Sequence, residues 1–182
     1  MDDRNLVERT GAGDGRAFEA FVRRWEGPLF RFLRRLTGSA SKADEARQAT
    51  LIRVYRGAAA FRGGSVPVWL FRTAHRVARN LRREAVRPEP PPHEAVVEPS
   101  DPAPQPVEQA AGAEEQAALH AALGRLDAED RAALWLRIGE GLSLKGTARA
   151  LGVPPSTLRH RLHRALTRVR REILRGERHG VS

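Results

Sequence analysis

The chain has 182 residues, with 32 Lys and Arg against 22 Asp and Glu, a formal charge of +10 and no cysteine. That length allows one domain or two small ones, and the missing cysteine excludes a disulfide framework, a thiolate zinc site and a cysteine nucleophile. No apolar run approaches the roughly 20 residues of a spanning helix, and Met1-Asp2-Asp3-Arg4-Asn5 does not open a secretory signal, so a soluble, intracellular, basic protein is expected.

The charge is unevenly placed. Residues 1–84 hold 18 basic and 9 acidic side chains, residues 85–115 hold 1 and 7, and residues 116–182 hold 13 and 6. Eight of the 12 prolines fall in the acidic stretch. Proline lacks a backbone donor and favours extended chain, and the stretch has little to bury. The expectation is two compact domains joined by a flexible Pro-rich linker over 85–115, because structureless loops of that length are uncommon within one domain.

Both basic blocks read as helices. Phe18, Phe21, Val22, Trp25, Leu29, Phe32, Leu33 and Leu36 recur at three and four, one face of a helix. Gly27-Pro28 is expected to kink or split it, and Thr37-Gly38-Ser39 ends it. A second helix over 41–60 starts at Ser41 with Asp44 and Glu45 in its first turn. It carries Ala46, Ala49, Leu51, Ile52, Val54 and Tyr55. A glycine-rich break, Phe61 to Pro67, precedes a third helix over 68–83 that buries Trp69, Leu70, Ala74, Val77, Ala78 and Leu81. The polar face of that helix holds Arg72, His75, Arg76, Arg79, Asn80, Arg82 and Arg83 with no acid before Glu84. Like charges four apart repel, so this face suits a polyanion better than water alone.

In the last block, 117–126 and 129–138 read as short helices with Asp127 as a cap between them. A short helix carrying Ala148 and Leu151, a turn at Gly152 and a long helix from Pro155 follow. Leu158, Leu162, Ala165, Leu166 and Val169 form the buried stripe of the long helix. Arg159, His160, Arg161, His163, Arg164, Arg168, Arg170 and Arg171 face outward. That is a helix-turn-helix whose second helix is strongly basic, the kind that enters a major groove. Gly146 inside the first of its helices costs about 1 kcal/mol relative to Ala. Pro154 forfeits a capping bond of around 1 kcal/mol. The second domain is therefore expected to be marginally stable alone.

With these pieces in this order, the chain resembles an extracytoplasmic-function (ECF) sigma factor of the sigma-70 superfamily, a promoter-recognition subunit of bacterial RNA polymerase. The stretches that carry the resemblance are Ala12 to Arg24, Ala43 to Tyr55, Phe61-Arg62-Gly63 with Trp69 to Asn80, and Gly141-Leu142-Ser143 with Leu151-Gly152-Val153 and Thr157 to Ala165. The resemblance implies an all-α fold of two small helical domains. Sigma region 2 would occupy 1–84 and a region 4 helix-turn-helix 116–176, with 177–182 a tail. It implies minus-35 contacts from Ser156, Thr157, Arg159, His160, Arg161, His163 and Arg164. Arg62, Gly63, Ser65, Arg72, Arg76, Arg79, Asn80 and Arg83 would melt and read the minus-10 element. Asp44, Glu45 and Gln48 would dock on the polymerase clamp, where Arg47 among those acids is expected to weaken the contact.

The implied partners are polymerase core (clamp and flap), promoter DNA and an anti-sigma protein, in the cytoplasm, with no cofactor, metal, small-molecule substrate or membrane insertion. No enzyme reading survives: the six histidines form no His-Glu-x-x-His pair, and Gly11 to Gly15 lacks the lysine of a phosphate loop. Two rivals remain at this stage. One is a freestanding helix-turn-helix regulator that needs no polymerase. The other is a helical protein whose basic faces meet an acidic partner.

Overall fold

A computed structural model describes residues 2–84, 119 and 121–179, and no strand occurs among them. The first block holds α1 (Asp3–Gly11), α2 (Gly15–Thr37), α3 (Ala40–Gly57) and α4 (Val66–Glu84), with a 3-10 turn at Ala58–Ala60. After a helical turn at 121–124, the second block holds α5 (Ala128–Leu134), α6 (Leu144–Leu151) and α7 (Pro155–His179). The expected linker, 85–115, lies outside the described residues. Helix α7 continues past the expected end at 176 to His179.

Several local expectations change. Helix α2 is not split: Pro28 sits inside one 23-residue helix. An interior proline costs about 3 kcal/mol, but Phe21, Trp25, Leu29, Phe32, Leu33 and Leu36 are all buried along the same face. At roughly 1.5–3 kcal/mol per large side chain, that face wins. Helix α3 is capped by Ser39, whose hydroxyl accepts from the Lys42 amide, rather than by Ser41. Helix α1, which no strong periodicity announces, packs on α2 by burying Leu6, Val7 and Thr10. In the second block the helix expected over 129–138 becomes α5 followed by a π-turn at Trp135–Gly139, leaving Ile138 exposed. Leu166 is half exposed and drops out of the α7 stripe, whereas Leu158, Ala165 and Val169 are buried. Asp127 caps α5 by accepting from the Asp130 amide at 2.8 Å. Gly152 ends α6 with φ 68°, the left-handed conformation that glycine takes without strain.

The two blocks pack against one another. Ala132, Ala133, Leu136, Leu142, Ala148, Ala150, Leu151 and Leu158 belong to the same buried cluster as Phe32, Leu70 and Phe71. Helix α4 lies on α6, and α2 lies on α5. Gly146 supplies the close approach: a Cβ there would stand 3.2 Å from Val68 Cγ2. The glycine that weakens α6 as a helix is what lets α4 reach it.

Candidate nucleic-acid interface

Helix α4 owes its direction to the break before it. Gly63 and Gly64 take φ 92° and 95°, which only glycine adopts freely. Ser65 then caps the helix, its hydroxyl accepting from the Val68 amide at 3.4 Å. Within this loop Arg62 and Ser65 are exposed and Gly63 is half-buried. A Cβ on Gly63 would collide with the guanidinium of Arg4, so α1 backs the loop, a support that no sequence signal revealed. Phe61 and Trp69 stack at 5.1 Å between centroids, and Trp69 is partly buried, consistent with the core role its spacing favoured.

Along α4, Arg72, Arg76, Arg79, Asn80 and Arg83 all face solvent, and none of these arginines forms an ion pair among the described residues. His75 does not belong with them. It is 4% exposed, and its Nε2–H donates to both oxygens of Glu129, at 2.9 and 3.2 Å. That bond, helped by the nearby Arg161 and Arg79 charges, holds the Glu129 carboxyl below its ordinary range although burial pushes the other way.

On α7, Ser156, Thr157, Arg159, His160, His163 and Arg164 are exposed together near the helix N-terminus. Arg161 departs from the expectation. It is half-buried, its Nη1 stands 3.8 Å from Glu129, and that nitrogen makes no hydrogen bond. Sequence reasoning missed Lys145 and Arg149 on α6. They line a cleft of about 1110 Å³ together with Arg62 and Arg72 of the other block, and no carboxylate lines it. Their spacing of four was visible, but what they face depends on how the blocks meet.

The α3 face carries a different chemistry. Glu45 and Gln48 are exposed and Asp44 half-exposed, while Ile52 and Tyr55 are 52% and 48% exposed. Glu45, Gln48, Ile52 and Tyr55 follow at steps of three and four and so share one side. Arg47 takes one of these acids as its own partner: its Nη2 pairs with Asp44 at 2.8 Å and its Nη1 approaches Glu26 at 3.8 Å.

A helical protein that sets a helix-turn-helix beside a basic helix backed by aromatic rings, with a separate acidic–apolar ridge on α3, has the make-up of a transcription factor. Residues 21–87 match the family model for sigma-70 region 2 and residues 116–169 that for sigma-70 region 4. The chain belongs to the sigma-70 family, as an ECF-type RNA polymerase sigma factor rather than a freestanding regulator, and it is not an enzyme. It is 34% identical over 175 residues to the ECF RNA polymerase sigma factor SigM of Mycobacterium tuberculosis, covering 93% of this chain and 83% of that one. It is 32% identical over 173 residues to the RNA polymerase sigma-H factor of Pseudomonas aeruginosa, covering 90% and 89%. The fold is similar, with TM-score 0.62, 21% identity and coverage of 87% and 96%, to the sigma factor RpoE of Bartonella quintana, solved in complex with the anti-sigma factor NepR. No helix among the described residues is long and apolar enough to cross a membrane.

Proposed function

We propose that the exposed cations of α7 read the minus-35 element, those of α4 with the 61–65 loop open and read the minus-10 element, and the α3 ridge docks on polymerase core. The observation that carries this reading is the contrast in ion pairing. Both arginines of α1 pair with acids, Arg4 with Glu8 and Arg9 with Asp14, and on α2 Arg23 pairs with Glu19 and Arg24 with Asp3. Arg72, Arg76, Arg79, Arg83, Arg159 and Arg164 have no such partner among the described residues, which leaves them for phosphates and base edges.

The roles divide by position. Ser156 and Thr157 sit where helix N-terminal amides favour a phosphate. Arg159, His160, His163 and Arg164 face base edges, a bidentate arginine–guanine pair discriminating by roughly 1–3 kcal/mol. Arg161 completes the set from the half-buried side of the same helix. In the first block, Arg62, Gly63 and Ser65 capture a base flipped from the stack, and Arg72, Arg76, Arg79, Asn80 and Arg83 track the strand beside it, offsetting an unstacking cost of a few kcal/mol. Asp44, Glu45 and Gln48, extended by Ile52 and Tyr55, form the polymerase contact. Region 2 spans 1–84 and region 4 spans 116–176, and the protein works in the cytoplasm. An anti-sigma protein is its inhibitor, by likeness to the partner named for the Bartonella relative.

Run-off transcription with core polymerase tests the assignment. Arg159→Glu with Arg164→Glu is expected to abolish promoter-specific initiation while the variant still co-purifies with core. Retained specific starts would refute the minus-35 assignment.

A further inference from the structure

Helix α1 lies ahead of the matched region 2 residues, 21–87, yet it is fastened to them and to the start of α2. At its beginning the Asp3 carboxylate accepts from the Trp25 indole at 3.2 Å and pairs with Arg24 at 3.1 Å. At its other end Arg9 donates from Nε to Asp14, the cap of α2, at 2.9 Å. Leu6, Val7 and Thr10 are buried along the length between. Helix α1 is thereby set as firmly as α2 itself.

A second side of α1 meets the segment that leads into α4. Arg4, Glu8 and Gly11 follow at steps of four and three and so share that side. Gly11 lies on the 3-10 turn at Ala58–Ala60: a Cβ there would stand 2.9 Å from backbone atoms of both Ala58 and Ala59. Arg4 lies on the far end of the same segment, where a Cβ on Gly63 would collide with its guanidinium. Glu8 holds that guanidinium by its Nε, at 3.2 Å. Between these two contacts Arg62 folds back to donate to the Ala59 carbonyl at 2.9 Å.

We propose that α1 is the wall that shapes the base-capture loop, and that Arg4 is a positioning residue for reading the minus-10 element. The inference rests on the proposed reading of the 61–65 loop. Gly63 and Gly64, at φ 92° and 95°, have little of their own to hold them there, because glycine takes many backbone conformations at similar cost. A loop that must receive an unstacked base gains affinity when its shape is set before the base arrives. The Arg4 guanidinium supplies that restraint by filling the side of Gly63 where other residues carry a Cβ. Its charge is already balanced by Glu8, so it acts through its planar shape rather than as another phosphate contact.

Run-off transcription by the full chain with core polymerase tests this, using one promoter library randomised at the minus-10 element and another at the minus-35 element. Arg4→Ala is expected to lower base discrimination at minus-10 by about fivefold, the scale of one side chain's ordering cost, and to leave minus-35 discrimination and co-purification with core unchanged. Arg4→Lys keeps the charge but not the planar fork, and is expected to lose as much. Gly11→Ala, whose new methyl group displaces the 58–60 turn, is expected to share the defect, although alanine is the better helix former. Wild-type minus-10 discrimination in Arg4→Ala overturns the proposal, as does an equal loss at minus-35. Rescue by Arg4→Lys would make Arg4 a phosphate contact and overturn its positioning role. Arg62→Ala with Ser65→Ala is the control on the loop itself. Unchanged minus-10 discrimination in that variant overturns the reading of the loop, whereas a loss there with none in Arg4→Ala overturns the role of α1 alone.

Discussion

The two blocks are stabilised differently. The first has an aromatic centre in which Phe71 of α4 lies edge-on to Trp25 and Phe32 of α2, at 5.9 and 5.1 Å. The private core of the second block is Ala122, Leu126, Leu134, Ala165 and Val169, with no aromatic ring among them. Leu136, Leu151 and Leu158 of this block are counted with the first block instead. The first block can supply its own burial, while the second borrows part of its burial from a neighbour. A domain that reads DNA while leaning on another domain is one whose stability and availability are linked.

Removing the aromatic centre should break that comparison most. Phe71→Ala empties a fully buried site and is expected to destabilise by about 3–5 kcal/mol. In thermal unfolding followed by circular dichroism it should lower the transition of the first block and, through the shared cluster, loosen the second.

A smaller change acts where the blocks meet. Glu129→Gln removes the charge from a bond of a class worth about 1.5–3 kcal/mol, and is expected to loosen the contact between the blocks without unfolding either, seen as a larger hydrodynamic radius. The pH dependence has a definite sign. The folded chain depresses the Glu129 carboxyl chiefly through the His75 hydrogen bond. Its contribution is therefore full above the ordinary carboxylate range and lost as pH falls through the lowered value. Asp130, raised mainly by burial, works the other way, so the wild-type minus Glu129→Gln difference isolates the His75–Glu129 bond. That difference should shrink on acidification below about pH 4.5, the ordinary carboxylate region.

The smallest effect is local. Asp127→Ala deletes the cap of α5 at about 1 kcal/mol. It should be felt by Trp135 fluorescence in the second block and leave the Trp25 surroundings unchanged. An equal response in both blocks would mean that they unfold as one unit.

Much of the site could be read without a structure. The step of three and four residues fixed which arginines of α4 and α7 share a face, and Asp127, Gly63 and Gly152 declared their turns and caps, because these depend on neighbours a few residues away. The same local logic misjudged Pro28, where burial of a whole helix face outweighs one lost backbone bond. It also misjudged Leu166, which is half exposed; its apolar character says nothing about whether another helix arrives to cover it.

What the sequence by itself determined is therefore the helices and the two basic faces, carried by local periodicity and charge, and, through the motifs it shares with known sigma factors, the family. Only the tertiary structure decided that His75 is buried against a carboxylate 54 residues away, that Arg161 turns toward the same group, and that Gly146 is a point of approach rather than a defect. Those outcomes depend on which helix faces meet, and that follows from the summed burial of distant side chains, a quantity no local pattern contains.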